Sequence, residues 1–402
     1  MDPSPTQLPP HLERPHLRRV LPQPVDNEEG QQGLALRDPL MLCEQTIVVP
    51  VAMAQALQRF DGEWTQDEIA KNLNAPAEAV STLVAKLDEL GLLWGPTSKD
   101  MEDTLLGKLH AQGTFPLRQS RMLGETPEAC RSTLNTWLDA TEDPELPFQA
   151  AGLFAPRIDY PAAAEVYAGL YHAVLDQDIT RVLLLGNNQF GFGDGVVGTR
   201  LGFQSPMGQL ECDTEFVNDL VGRLGEDFIS DEIDHVASHC IEMQVPWIQR
   251  CLGEPKVVGV LLPNPLEPSI DDEPRVTADA FIAAARAVIA SSEGRTLVIA
   301  AGDLSHIGPQ FGEPRAIDEQ RQAEADRTDR ELIATFSKGD PDAFLSAVKW
   351  NANANRWSGI GAMMALLGIV QPGSIEMIDY HQHPLDDQGH AMVASVGLAL
   401  GT

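Results

Sequence analysis

The stretch AGDLSHIGP, residues 301–309, follows the apolar run Leu297–Ala300 and carries Asp303 and His306 out of what reads as a buried strand. An imidazole beside a carboxylate can move a proton or help hold a cation, and the carboxyl ends of such strands are where α/β proteins place ligands. The same pair also suits a helix cap with a hydrogen-bonded histidine. Three further loops end apolar segments: APRIDY (155–160), LGNNQFGFGDG (185–195) and SHCIEMQVPW (238–247). A fifth stretch, NRWSGIGAMM (355–364), opens a helix rich in small residues. In a parallel sheet these loops gather at one edge and can share a pocket.

Taken singly, each signal has a plainer reading. His239 and Glu242 are three apart and would share a helix face, as a metal pair, an acid/base pair or an ordinary intrahelical contact. Cys240 is the sequence neighbour of His239 and would point about 100° away on a helix, which disfavours a Cys–His nucleophile. GNNQFGFGDG is glycine-rich after a strand, but the VVGTRLGF that follows reads as strand, whereas a phosphate cradle needs amides at a helix N-terminus. His381 and His383, in HQHP, would share one face of an extended segment. No third ligand is visible beside them in the sequence, so surface histidines are the simpler account.

These loops need a scaffold. From residue 148 onward, strand-like runs such as RVLLLG, KVVGVLLP and TLVIAAG alternate with helical periodicity, and VVGTRLGF reads as one further strand. That alternation predicts an α/β domain over 148–402, with a mostly parallel central sheet flanked by helices. Residues 1–24 are proline-rich and read as an extended or disordered leader. Residues 25–95 show short strands, a helix opened by the Thr65/Glu68 capping box, a second helix with Val80, Leu83, Val84 and Leu87, and a wing at Leu92–Trp94. This is a small winged-helix α+β pattern. Residues 96–147 read as a helical linker, with Leu134 and Trp137 on a helix that docks onto the domain after it.

Charge and composition remove several function classes. The chain has 402 residues with 28 Lys+Arg against 59 Asp+Glu, a net charge of −31. Such a balance repels nucleic acid and anionic membranes. No apolar run approaches the roughly 20 residues that span a bilayer, and the N-terminus lacks a secretory core. Five scattered cysteines form no CxxC pair, which fits a reducing, cytoplasmic setting.

The combination of stretches carries more than any one. APRIDY, LGNNQ, SPMGQLECDTE, SHCIEMQVPW, GDLSHIGPQFG and NRWSG occur in an order that resembles the Memo-like family over about residues 115–400. That family includes the bacterial proteins called AmmeMemoRadiSam system protein B, and its fold is similar to class III extradiol dioxygenases. The N-terminal pattern resembles the PqqD-like domains, winged helices that hold a peptide leader for a modifying enzyme. The family usually has A-P-H where this chain has Arg157, a histidine where it has Gln189, and C-G where it has Ser358-Gly359. By the resemblance, those positions and His306 gather a metal, and His306 alone keeps the pattern.

Arginine cannot ligate and stays charged, while amide and hydroxyl oxygens are poor ligands for Fe or Cu. The resemblance therefore implies a rewritten pocket without a metal cofactor, in which Arg157 replaces the cation and pairs with Asp303 or Glu242. Its expected ligand is a small molecule or peptide held by Arg157, Gln189, His239, Glu242 and Ser358, in a pseudoenzyme accessory to a peptide-modification pathway. A protein partner would dock on the winged helix. The enzymatic alternative makes His306 a general base oriented by Asp303, with Arg157 stabilising an anion. A further alternative is a rearranged Fe, Cu or Zn site of His239, Glu242 and His306.

Overall fold

Pro22 and Pro24, two apart, mark the first strand as one that pairs on a single side, because neither can donate to a sheet ladder. The computed structural model describes residues 8–26, 32–43, 45–189, 191, 195–267 and 275–402. Within the segment expected to be a leader it places α1 (Pro10–Glu13) and β1 (Leu21–Asp26). Pro10 sits in the first helical turn, where its missing N–H costs nothing. β1 is the edge of an antiparallel sheet ordered β1-β2-β3, with β2 at Gln32–Arg37 and β3 at Ile47–Pro50. Proline content alone therefore misread an edge strand as disorder.

Helices α2 (Val51–Leu57), α3 (Gln66–Leu73), α4 (Ala77–Glu89) and α5 (Pro96–Gln112) follow. The capping box at α3 is present in both directions, Thr65 to Glu68 and back. Val80, Val84 and Leu87 of α4 bury against Leu36, Phe60 and Ile69. No strand pair forms at Leu92–Trp94 among the described residues; a single bridge joins Leu17 to Leu93. The helix pair is thus present, with its sheet placed before it.

The described residues divide into two compact units, one of residues 8–111 with Gly191, the other of the remainder. The second unit opens with β4 (Thr114–Phe115) and α6 (Pro127–Asp139). α6 buries Cys130, Leu134 and Leu138 and stacks Trp137 on Trp247 at 6.1 Å. It is part of this unit's packing. The chain continues through β5 (Ala150–Ala155), α7 (Ala164–His172), β6 (Arg181–Asn187), β7 (Val197–Gly198), β8 (Gly202–Ser205) and β9 (Gly208–Leu210). Next come α8 (Thr214–Leu224), α9 (Val245–Leu252), β10 (Lys256–Leu262), α10 (Ala278–Ser291), β11 (Thr296–Ala301) and β12 (His306–Ile307). The last elements are α11 (Glu319–Phe336), α12 (Pro341–Trp350), α13 (Ile360–Val370), β13 (Ser374–Pro384) and β14 (Met392–Gly401).

The main sheet has eight strands, ordered β12-β14-β5-β11-β6-β10-β7, with β13 also on β14. Its centre is parallel: Val298 of β11 aligns with Gly152 of β5 and Leu183 of β6, and Leu183 with Val258 of β10. Antiparallel strands extend both flanks, so the sheet as a whole is mixed. The stretch VVGTRLGF splits into β7 and β8, and β8 joins a separate small sheet ordered β4-β8-β9. Buried Phe154, Leu183, Val258 and Val298 pack with Phe216, Phe281 and Leu366, which covers one face with helices. Tyr167 and Tyr171 of α7 both stack on Trp247 of α9, with ring centroids 5.8 Å and 5.5 Å from it. Burial on both faces explains the near-continuous apolar strands. Among the described residues no helix is long and apolar enough to cross a membrane.

Candidate functional site

Three parallel strands end two residues before a candidate side chain. β5 ends at Ala155 and is followed by Arg157, β6 ends at Asn187 before Gln189, and β11 ends at Ala301 before Asp303. Adjacent parallel strands in register bring their exits to one edge, so these three residues meet. A cleft of about 490 Å³ there is lined by Arg157, Gln189, His239, Asp303, His306 and Ser358, among others. Six of the seven residues singled out from the sequence thus share one cavity.

Asp303 is the structural centre. Only 3% exposed, it accepts hydrogen bonds through Oδ1 from the backbone N–H groups of Arg157 (2.9 Å) and Ile158 (3.2 Å). The Arg157 guanidinium lies beside it, with Nε 3.4 Å from Oδ2, and donates from Nη1 to Gln189 Oε1 at 2.7 Å. Arg157 therefore pairs with Asp303 and not with Glu242. The Ser358 hydroxyl is engaged on the main chain of Asp303, accepting from its N–H at 3.1 Å and donating to its carbonyl at 3.2 Å. Its role in the cleft wall is to clamp that loop.

His306 is oriented by the backbone. Its Nδ1 lies 2.9 Å from the Leu304 carbonyl and 3.0 Å from that of Arg356. Two acceptors on one nitrogen place the ring proton at Nδ1 and leave Nε2 with the lone pair. The expected orientation by an Asp303 hydrogen bond is replaced by these two carbonyls. Burial lowers the His306 pKa, opposed by the charge of Asp303 and aided by that of Arg157. His239 is pushed down to about 4, first by burial and then by Arg157, with Asp303 opposing. Both imidazoles are neutral near pH 7.

Glu242 does not join them. His239 stands at the start of a turn, its carbonyl accepting from the Met243 N–H at 3.0 Å, and Glu242 opens a short 3₁₀ segment, Glu242–Gln244, before α9. The buried Glu242 carboxylate instead accepts from the N–H of Arg118 (2.6 Å), Gln119 (3.2 Å) and Ser120 (3.0 Å) and from the Ser120 hydroxyl (2.6 Å). It anchors the chain at 118–120. Glu242→Gln replaces one of the two acceptor oxygens by a donor, and unfolding is expected to require about 1–3 kcal/mol less, measured by denaturant titration. Binding in the cleft should be unchanged.

A set of His239, Glu242 and His306 is likewise not assembled. Among the described residues, the group of three or more His, Cys, Asp or Glu ligand atoms that come within 4.8 Å of one another is Glu165, Asp379 and His381, elsewhere in the unit. Phe190 and the glycine-rich residues 192–194 lie outside the described residues. Sequence reading passed over Arg356, whose guanidinium lines the same cleft and binds Glu313 at 3.2 Å. It also passed over Asp329, which accepts from Ser305, Trp357 Nε1 and the Tyr380 hydroxyl and so fixes the segments on both sides of His306.

Comparison with known proteins places this geometry. The Memo-like protein family matches residues 121–399. The chain belongs to the Memo-like protein family. A MEMO1 family protein of Aquifex aeolicus is 23% identical over 369 residues, covering 88% of this chain and 93% of its own. That share exceeds the family match, so the likeness reaches into the N-terminal unit. The MEMO1 family protein MJ0403 of Methanocaldococcus jannaschii is 32% identical over 40% of this chain and 55% of its own length. One from Methanosarcina acetivorans is 24% identical over 53% and 72%.

The Memo-like resemblance implies a metal at this edge of the sheet, and the donor set here does not fit one. The Arg157 guanidinium lies beside Asp303, and its fixed charge opposes a cation there. Gln189 and Ser358 already use their oxygens on Arg157 and on the Asp303 main chain.

Proposed function

We propose that the Memo-like unit binds a small carboxylate-bearing molecule, or the carboxylate of a modified peptide, through Arg157 and without a resident metal. The observation that carries this reading is the guanidinium itself, 11% exposed and held between Asp303 and Gln189 in the cleft wall. A guanidinium has five N–H donors, and those beyond the Gln189 contact can grip a carboxylate in parallel. An adjoining cavity of about 390 Å³ shares Gln189, Arg356 and Ser358 and includes Ile360 and Gly361. Those two residues form the first turn of α13, which has no side-chain cap. Uncapped amides and the helix dipole favour an anionic group at that end. α4 carries Lys86 against Glu78, Asp88 and Glu89, which suits a protein or peptide partner rather than DNA.

The test is calorimetric titration with succinate and benzoate, together with metal analysis of the triple variant Arg157→His, Gln189→His, Ser358→Cys. The expected result is saturable carboxylate binding by the wild type. The triple variant should lose that binding and gain one equivalent of Fe(II), Cu(I) or Zn(II) over the wild type. Wild-type protein already holding a metal that His306→Ala releases would overturn the reading.

A second reading is supported by His306, whose fixed Nδ1–H leaves Nε2 as a base in the same cleft. In that case the bound molecule is also turned over by metal-free proton transfer. His306→Ala would then lower turnover with little change in affinity.

A further inference from the structure

Asp379, His381 and His383 alternate along β13 and share one of its faces, just past an irregularity in register between Met377 and Asp379. The sequence shows the two histidines without a third ligand. The fold supplies one from α7, 214 residues before Asp379 in the chain. α7 packs closely on β13 at Gly169, where a Cβ would fall 3.2 Å from Ile378. Glu165 is one helical turn earlier on the same face. Its Oε2 lies 3.7 Å from His381 Nε2, while Asp379 Oδ2 approaches the same nitrogen at 3.0 Å.

We propose that Glu165, Asp379 and His381 form a binding site for a divalent first-row cation such as Zn(II), distinct from the Arg157 cleft. Their ligand atoms all lie within 4.8 Å of one another, so one ion can reach all three. One imidazole and two carboxylates suit Zn(II), Mn(II) or Fe(II), and three protein ligands leave positions open for water or an anionic ligand. The surroundings give an independent argument. These residues line a groove of about 790 Å³ whose other charged residues are Glu142 and Asp143, with no Lys or Arg among the described lining residues. A concave surface carrying four carboxylates and no cation concentrates cations from solution. His383 stands behind His381, ring centroids 6.1 Å apart, with Nε2 held 2.7 Å from Ser395 Oγ.

The experiment is titration of tag-free, chelator-treated full-length protein with ZnCl₂, followed by calorimetry, with Co(II) d–d absorption as a second readout. The expected result is one saturable equivalent, with affinity reduced at least about tenfold in Asp379→Asn and in His381→Gln, the scale on which even outer-shell partners matter. Arg157→Ala and His306→Ala should bind the ion as the wild type does. The altered side chains are 32% and 44% exposed, so both variants should fold, checked by circular dichroism. No saturable uptake, or uptake unchanged in both variants, overturns the proposal. Uptake abolished by His306→Ala instead would also overturn it, and would count against the metal-free reading of the Arg157 cleft.

Discussion

Arg157→Ala is expected to lower the free energy of unfolding by about 3–5 kcal/mol, the scale for removing one partner of a buried ion pair. Asp303 is the reason. With its side chain 4% exposed, its carboxylate would retain the N–H donors of residues 157 and 158 but lose the adjacent guanidinium. Hydrogen bonds alone do not replace the lost Coulombic compensation for a carboxylate this little exposed. The Gln189 amide would also lose its partner, at small cost because that residue is exposed. Arg157→Ala with Asp303→Asn should recover much of the loss, because the pair then disappears together. Chemical denaturation of the two single variants and the double variant measures this coupling. A coupling energy near zero would mean that Arg157 is a surface charge. Carboxylate affinity should fall at least about thirtyfold in Arg157→Ala, corresponding to the loss of about 2 kcal/mol of charge-assisted contact. Arg157→Lys keeps the charge without the planar fork and should fall between the two.

How much of this was legible follows from where each residue sits. Arg157, Gln189 and Asp303 each stand two residues beyond an apolar strand, and strand ends are what hydrophobic patterning marks best. Parallel pairing then brings those ends together, so sheet topology places the cleft. Glu242 was misplaced because sharing a turn with His239 does not fix where its carboxylate goes, and the distant N–H groups of Arg118, Gln119 and Ser120 claim it. The Ser358 clamp spans 55 residues and depends on a hydroxyl that satisfies both backbone groups of Asp303, which no local pattern encodes. The prolines before position 16 suggested a disordered leader through residue 24, yet Pro22 and Pro24 lie in an edge strand, which tolerates prolines of one parity. The cluster on β13 was half visible. Asp379 precedes His381 by two, which alternation could have paired, whereas Glu165 arrives through the packing of α7.

Stability should fall steeply as the solution is acidified below about pH 6.5, because several buried histidines resist protonation in the folded state. His235 is fully covered between Phe115 and Phe203, with Nε2 3.2 Å from the Val197 carbonyl, and burial pushes its pKa down to about 3. His239, beside Arg157, is pushed down to about 4. In the unfolded chain both titrate near 6.5. Above that pH neither state binds these protons and the folded state keeps its full stability. Below it the unfolded chain takes them up first, so stability declines until the folded pKa values are reached. Near pH 5 each residue accounts for about 2 kcal/mol of the loss, hence about 4 kcal/mol together, at 1.36 kcal/mol per pH unit. His306 and His383, whose pKa values burial also lowers, act in the same direction. Asp329 opposes them, because burial raises its pKa and acid then favours the folded form. Unfolding midpoints near pH 8 and near pH 5 should therefore differ strongly in the wild type. His235→Phe with His239→Gln keeps the aromatic packing and removes both titrations, so about 4 kcal/mol of that difference should vanish. An undiminished difference in the double variant would mean that His235 and His239 do not carry the acid sensitivity.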